Sequence, residues 1–186
     1  MNVNSGTLRR VTTIGHSSLA LADFLELLGS AGVAAVADVR RFPGSRRHPH
    51  FGGDELARSL GQHGLTYRHL PELGGRRSPK ADSPNRGWTQ AAFRGYADHL
   101  RSDEFARGLQ QLEALASTEL IAIMCAEGLW WRCHRRLIAD VLVLRGWGVE
   151  HVLPDGRRPP HELPRFAIPG PDGLPSYPEG AQTSLL

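Results

Sequence analysis

Two short apolar runs constrain this chain more than anything else in it. Ala34 to Val39 is apolar throughout except for Asp38, and Leu120 to Met124 is apolar without a break. Segments this short, with no polar face, fit strands buried on both sides of a parallel sheet. Three further runs fit strands: Val11 to Gly15, Thr66 to Leu70 and Val149 to Leu153. Helical spacing fills the intervals. Leu21, Phe24, Leu25 and Leu28 mark a helix over Leu19 to Ala31, with Ser17 and Ser18 as candidate caps. Asp54 to Gln62 reads as a second helix capped by Asp54, and Thr89 to Leu100 and Phe105 to Leu115 as a third and fourth. A last helix runs from about Cys133 to Arg145, where Gly146 is a natural stop. Alternation of this kind predicts an α/β fold: a single-domain, open, mostly parallel, Rossmann-like sheet with helices on both faces.

Length agrees, since 186 residues suffice for one domain with a real core. That domain is expected over 1–168, with 169–186 a Pro/Gly-rich tail, irregular or disordered. Hydrophobic residues at 40% and charged residues at 22% describe an ordinary soluble chain. No apolar run nears the ~20 residues that span a bilayer, so no membrane partner is expected. Met1 to Arg10 is polar and lacks the apolar centre of a signal peptide, which points to the cytoplasm. Two cysteines make no disulfide framework, and reduced thiols are expected there. Of the 22 basic residues only Lys80 is lysine. Arginine forks match phosphate and carboxylate geometry, although coding bias also enriches arginine. A net charge of +3 is too small to establish a polyanion partner by itself.

Open α/β sheets bind ligands beyond the carboxyl ends of their strands. That rule gathers four segments onto one rim: Gly15-His16-Ser17, Asp38-Val39-Arg40, the loop from Leu73, and Cys125-Ala126-Glu127. Met124 to Arg135 is the richest stretch, with both cysteines, Glu127, Trp130, Trp131, His134 and Arg135. Cys133, near a helix start and beside cations, is expected to have a lowered thiol pKa and to be a candidate nucleophile; Cys125 either fills space or shapes the site. Glu127 after a buried strand reads as an acid/base group or as the partner of a nearby arginine. Asp38 and Arg40, two residues apart on a strand, lie on one side of it, where one can orient the other. Arg40 and Arg46, in a loop stiffened by Pro43 and Pro49, read as an anion site. His16 is a candidate base, and Trp130 and Trp131 can stack a nucleobase or pack in the core.

Several motifs are missing. Six residues separate Cys125 from Arg132, where the phosphate loop of cysteine phosphatases has five. Leu73 to Arg77 lacks the Gly-Lys-Ser/Thr ending of a Walker loop, and Gly15-His16-Ser17 is no dinucleotide fingerprint. Cys125, Cys133 and His134 are zinc-type donors, yet a Cys-x7-Cys-His spacing matches no familiar pairing of close ligands. The expectation is therefore no metal and no cofactor.

Taken in order, Thr13-Ile14-Gly15-His16-Ser17, Asp38-Val39-Arg40, Pro43, Ser45-Arg46, Tyr67, Leu73-Gly74-Gly75, Cys125-Ala126-Glu127 and Cys133-His134-Arg135 resemble the bacterial family catalogued as domain of unknown function 488. The resemblance covers roughly 11–153. It implies the fold and a shared site and leaves the reaction open. The expected catalytic set is Glu127, Cys133, His134, Asp38 and His16. The expected substrate contacts are Arg40, Arg46, Ser45, Tyr67, Gly74, Gly75, Cys125, Trp131 and Arg135. The function expected is an enzyme acting on a phosphate-bearing substrate, a nucleotide or nucleic-acid component. The alternatives are a non-catalytic module that binds nucleic acid or a nucleotide, and a Cys/His metal or redox sensor.

Overall fold

The computed structural model describes residues 9–180. The polar stretch before Arg9 and the tail beyond Gly180 lie outside them. Five parallel strands form the sheet: β1 (Arg10–Gly15), β2 (Ala35–Asp38), β3 (Thr66–His69), β4 (Ile121–Cys125) and β5 (Gly148–Val152). Their spatial order is β3-β2-β4-β1-β5. The helices are α1 (Leu21–Ser30), α2 (Gly53–Gln62), α3 (Ala91–His99), α4 (Asp103–Ala116) and α5 (Arg135–Leu144). This is the expected single α/β domain with a Rossmann-like layout. No helix among the described residues is long and apolar enough to cross a membrane.

Strand periodicity sorts the core into two layers. Ile14, Val36, Ala122 and Met124 face one side and pack with Phe24 and Leu28 of α1 and Leu56 and Leu60 of α2. Val11, Ala35, Ala37, Ile121, Ile123 and Cys125 face the other, against Phe93, Leu109, Leu137 and Val141 of α3, α4 and α5. Cys125 thus points toward α5 because it is in phase with Ile121 and Ile123.

The helices begin one or two residues from their expected starts, and two expected caps are not formed. α1 is capped by Ala20, without a side-chain bond, since a turn from Leu19 N–H to His16 C=O comes first. Ser17, at φ 46°, belongs to that turn and not to the helix. α2 begins at Gly53 because a 3-10 turn over Pro49–Phe51 runs into it. Asp54 therefore sits in the first turn, where its charge suits the helix dipole, and forms no side-chain cap. α4 has a true cap: Ser102 Oγ accepts from Phe105 N–H. α5 stops at Gly146, whose φ of 85° favours glycine.

The stretch from 154 is irregular but packed. A two-stranded ladder joins β6 (Ile168–Pro169) to β7 (Pro175–Ser176), and Tyr177 is fully buried in the α5 layer.

Candidate functional site

β4 lies between β1 and β2, and this placement makes the site. Chain from β1 and β2 leaves toward α1 and α2, whereas chain from β4 leaves toward α5 on the opposite face. The crevice that opens at such a divergence is the usual ligand position in this architecture. Register aligns the strand ends. Gly15 pairs with Cys125 and Asp38 with Met124, and the ladder runs on through His16 N–H to Cys125 C=O and Val39 N–H to Met124 C=O. Gly15 is required here, because a Cβ would sit 1.9 Å from the Glu127 carbonyl oxygen.

The crevice holds a cleft of ≈ 210 Å³. His16 and Cys125 contribute to its inner wall, Arg40 and Ser45 come from the loop after β2, and Gly75 and His134 close another side. Arg41, Phe42, Gly44, Arg76 and Ala126 complete the lining. No carboxylate is in this set. Ser17 and Arg76 are the two non-glycine residues with positive φ among those described; Arg76 lines the cleft and Ser17 follows His16, which does. Strained backbone of this sort clusters at functional sites.

Asp38 and Arg40 form a buried clamp under the floor. Asp38 is completely buried and accepts from Arg40 Nε at 2.9 Å, Arg40 Nη2 at 2.6 Å, Arg40 N–H at 3.0 Å and the Tyr67 hydroxyl at 2.7 Å. The remaining Arg40 nitrogen, Nη1, donates to the Phe51 carbonyl at 2.8 Å and approaches His16 Nε2 at 3.4 Å. Arg40 therefore spends its fork on the protein, its charge is balanced by Asp38, and it brings no free donors to the cleft. Burial pushes the Tyr67 hydroxyl pKa up, with Asp38 adding to the effect. Burial, with Arg40 beside it, also holds His16 down to about 4. The neutral ring stacks on Phe51 at 4.1 Å, and its Nδ1 meets the Ser17 carbonyl at 2.9 Å. A carbonyl only accepts, so Nδ1 carries the proton and Nε2 the lone pair.

The two thiols lie against one another beside His134. Cys125, Cys133 and His134 place their donor atoms within 4.8 Å of each other. His134 Nε2 donates to the Val39 carbonyl at 3.1 Å, which turns Nδ1 toward Cys133 Sγ at 3.6 Å. Arg135, almost wholly buried, donates from Nε to Cys133 Sγ at 3.4 Å and from Nη2 to the Glu127 carbonyl. Burial opposes charge on Cys133, but the hydrogen bond from the Cys125 thiol and the Arg135 guanidinium outweigh it and hold its pKa below the usual thiol range. Its hydrogen bond to Cys133, with burial, drives Cys125 the other way.

Behind Arg135 runs a buried hydrogen-bonded chain. Arg135 Nη1 donates to Thr13 Oγ1 at 3.3 Å, Thr13 Oγ1 meets His151 Nδ1 at 2.8 Å, and His151 Nε2 meets His161 Nδ1 at 2.9 Å. His161 Nε2 meets Asp140 Oδ1 at 2.7 Å, and Asp140 Oδ2 accepts from the Tyr177 hydroxyl at 2.6 Å. Arginine can only donate and a carboxylate only accept, so every proton in the chain points from Arg135 toward Asp140. Burial and the neighbouring His161 hold the His151 ring down to about 3, neutral as the chain requires.

Of the residues the sequence nominates, His16, Arg40, Ser45, Gly75, Cys125 and His134 line the cleft. Asp38, Tyr67, Cys133 and Arg135 lie behind it as supports. Gly74 backs Arg41, since a Cβ there would meet Arg41 Cβ at 2.7 Å. Glu127, Arg46 and Trp131 are exposed and outside the lining. The Glu127 carboxylate accepts from Leu129 N–H at 3.3 Å, while its main-chain carbonyl is what Arg135 holds. Trp130 stacks on His151 at 3.9 Å and so packs, and Trp131 leans edge-on against Trp130. The expected contacts left out Arg41, Phe42, Gly44 and Arg76 in the cleft, and Asp140, His151, His161 and Tyr177 behind it. An aspartate inside the apolar run Leu137 to Leu144 was the one visible signal for the buried chain.

Fold and site together define an open parallel α/β domain with an arginine-, histidine- and cysteine-lined cleft at its strand carboxyl ends. The chain belongs to the family described as domain of unknown function DUF488, whose sequence model matches residues 20–142. No curated protein and no solved structure matches it significantly.

Proposed function

We propose that the cleft binds a phosphate-bearing ligand, a nucleotide or nucleic-acid component, and that the protein is a cytoplasmic enzyme acting on it. One observation carries this reading. The lining gathers Arg40, Arg41, Arg76, His16 and His134 around the cleft with no carboxylate among them. Arg40 is neutralised by Asp38, but Arg41 and Arg76 are exposed and form no ion pair among the described residues. Two forks outside any ion pair, at the mouth of this cleft, suit bidentate phosphate recognition. Phe42 at the lip is 67% exposed, with the Arg41 guanidinium 5.9 Å from its ring, a flat surface of the kind on which a base stacks.

His16, neutral at its depressed pKa, adds a ring to the cleft wall without a charge of its own. Free thiols fit a reducing compartment. The test is equilibrium binding of nucleoside mono- and diphosphates, short oligonucleotides and inorganic phosphate to the full chain, at two salt concentrations. Saturable binding that weakens with salt and is lost in the double variant Arg41→Ala/Arg76→Ala supports the reading. No binding of any phosphate compound by folded protein refutes it.

A further inference from the structure

We propose that Cys125, Cys133 and His134 form a three-ligand site for a tetrahedral transition-metal ion, zinc by the nature of its donors, with a fourth position open to the cleft. The spacing along the chain conceals this site. Cys125 ends β4, whereas Cys133 and His134 follow the 3-10 turn at Trp130–Arg132 that folds the chain back over the strand end. Strand phase turns Cys125 toward that returning segment, and all three donor atoms come within 4.8 Å of one another. Zinc bonds of about 2.3 Å to sulfur and 2.0–2.1 Å to nitrogen put tetrahedral ligand atoms roughly 3.6–3.8 Å apart. Cys133 Sγ and His134 Nδ1 are already separated by 3.6 Å.

The surroundings are arranged as around a metal ligand. A coordinating histidine donates its other ring N–H to a carbonyl or carboxylate, which fixes the tautomer. His134 Nε2 does this with the Val39 carbonyl, leaving the Nδ1 lone pair aimed at the thiols. Space is kept at the same atom, because a Cβ on Gly75 would lie 2.8 Å from Nδ1. Arg135 donates to Cys133 Sγ, which favours the thiolate, the form that coordinates. Two sulfurs and an imidazole select zinc-like ions over magnesium or calcium. Cys125 and His134 reach the cleft and Cys133 does not, so the unfilled direction faces the ligand space. Three protein ligands and one open position are the arrangement of catalytic rather than structural zinc. Only the occupant of that fourth position depends on the anion-binding reading; the metal site stands without it.

The experiment uses reduced, chelator-treated full chain titrated with Co²⁺ under anaerobic conditions. One equivalent should produce tetrahedral d–d bands and thiolate-to-cobalt charge transfer, and Zn²⁺ should bleach both. Cys125→Ser and Cys133→Ser should each weaken the charge-transfer band, and His134→Ala should lower cobalt affinity at least ~10-fold. Circular dichroism confirms that each variant is folded. Gly75→Ala serves where a ligand variant fails to fold, and should also weaken cobalt binding by crowding Nδ1. Arg41→Ala/Arg76→Ala should leave the cobalt spectrum intact, so loss of phosphate binding there bears on the ligand reading alone. Folded, reduced wild type without a tetrahedral thiolate spectrum overturns the proposal. So does a spectrum unchanged in both cysteine variants.

Discussion

Tyr177 donates its phenolic hydroxyl to Asp140 Oδ2 over 2.6 Å, and both residues are fully buried. A residue of the Pro- and Gly-rich carboxyl-terminal stretch thereby closes the chain of hydrogen bonds that begins at Arg135 beside Cys133. Tyr177→Phe removes one donor and leaves a buried carboxylate oxygen short of a partner. The expected cost is about 1–3 kcal/mol in urea-unfolding free energy. An unchanged unfolding curve would show that the carboxyl-terminal stretch is not coupled to the domain.

Asp38 and Arg40 give a larger expected effect. Asp38→Ala strands the Arg40 guanidinium in a site only 6% exposed, and a broken buried ion pair typically costs about 3–5 kcal/mol. Tyr67→Phe removes only one of the Asp38 bonds and should cost roughly 0.5–1.5 kcal/mol. Thermal or urea denaturation checks both, and equal effects would mean that the clamp is not the principal interaction.

Among the arginines, position should matter more than charge. Arg41→Lys and Arg76→Lys keep the charge and lose the fork, so each should weaken phosphate-ligand binding by roughly 1–3 kcal/mol. Arg46→Lys should leave affinity unchanged, because Arg46 is exposed and outside the cleft lining. Calorimetric titration of the three variants decides. An Arg46 effect equal to that of Arg41 would point to a diffuse electrostatic surface.

Acid should destabilise the fold through two buried histidines. His16 is held near 4 and His151 near 3 in the folded protein, against about 6.5 when unfolded. Below 6.5 the unfolded chain therefore takes up protons that the folded chain does not. Stability is complete above that pH and falls as the pH drops toward 4, by up to about 1.4 kcal/mol per pH unit for each histidine. Urea unfolding at pH 7, 6 and 5 measures the slope, and His151→Gln should reduce it. Stability independent of pH across that range would contradict the neutral, buried state of both rings.

The strands were legible because buried parallel strands have few ways to be written. Ala34 to Val39 and Leu120 to Met124 appear in the fold as β2, shortened by one residue at each end, and β4, shifted by one residue to Ile121–Cys125. The rim followed from the strands, which is why His16, Arg40 and Cys125 could be placed on it from pattern alone, whereas His134 lies beyond the strand end. Helix starts were less legible: a turn at His16 to Leu19 and another at Pro49–Phe51 determine where α1 and α2 begin, so Ser17 and Asp54 do not cap them. Glu127 looked functional because it follows a buried strand, but the chain turns there and carries its carboxylate outward.

The sequence by itself determined the sheet, the face each strand residue takes and the end of the sheet where ligands bind, because periodicity is local and connections in parallel sheets obey few rules. Only the tertiary structure decided which charges are spent and which are free. Arg40 is consumed by Asp38 and Phe51, Arg135 by Cys133 and Thr13, and Arg41 and Arg76 keep their forks. It also brought Cys125 to Cys133 and His134, and Asp140 to His161 and Tyr177. Hydrogen bonds act over about 3 Å in space, whatever the distance along the chain, so no spacing in the sequence encodes them.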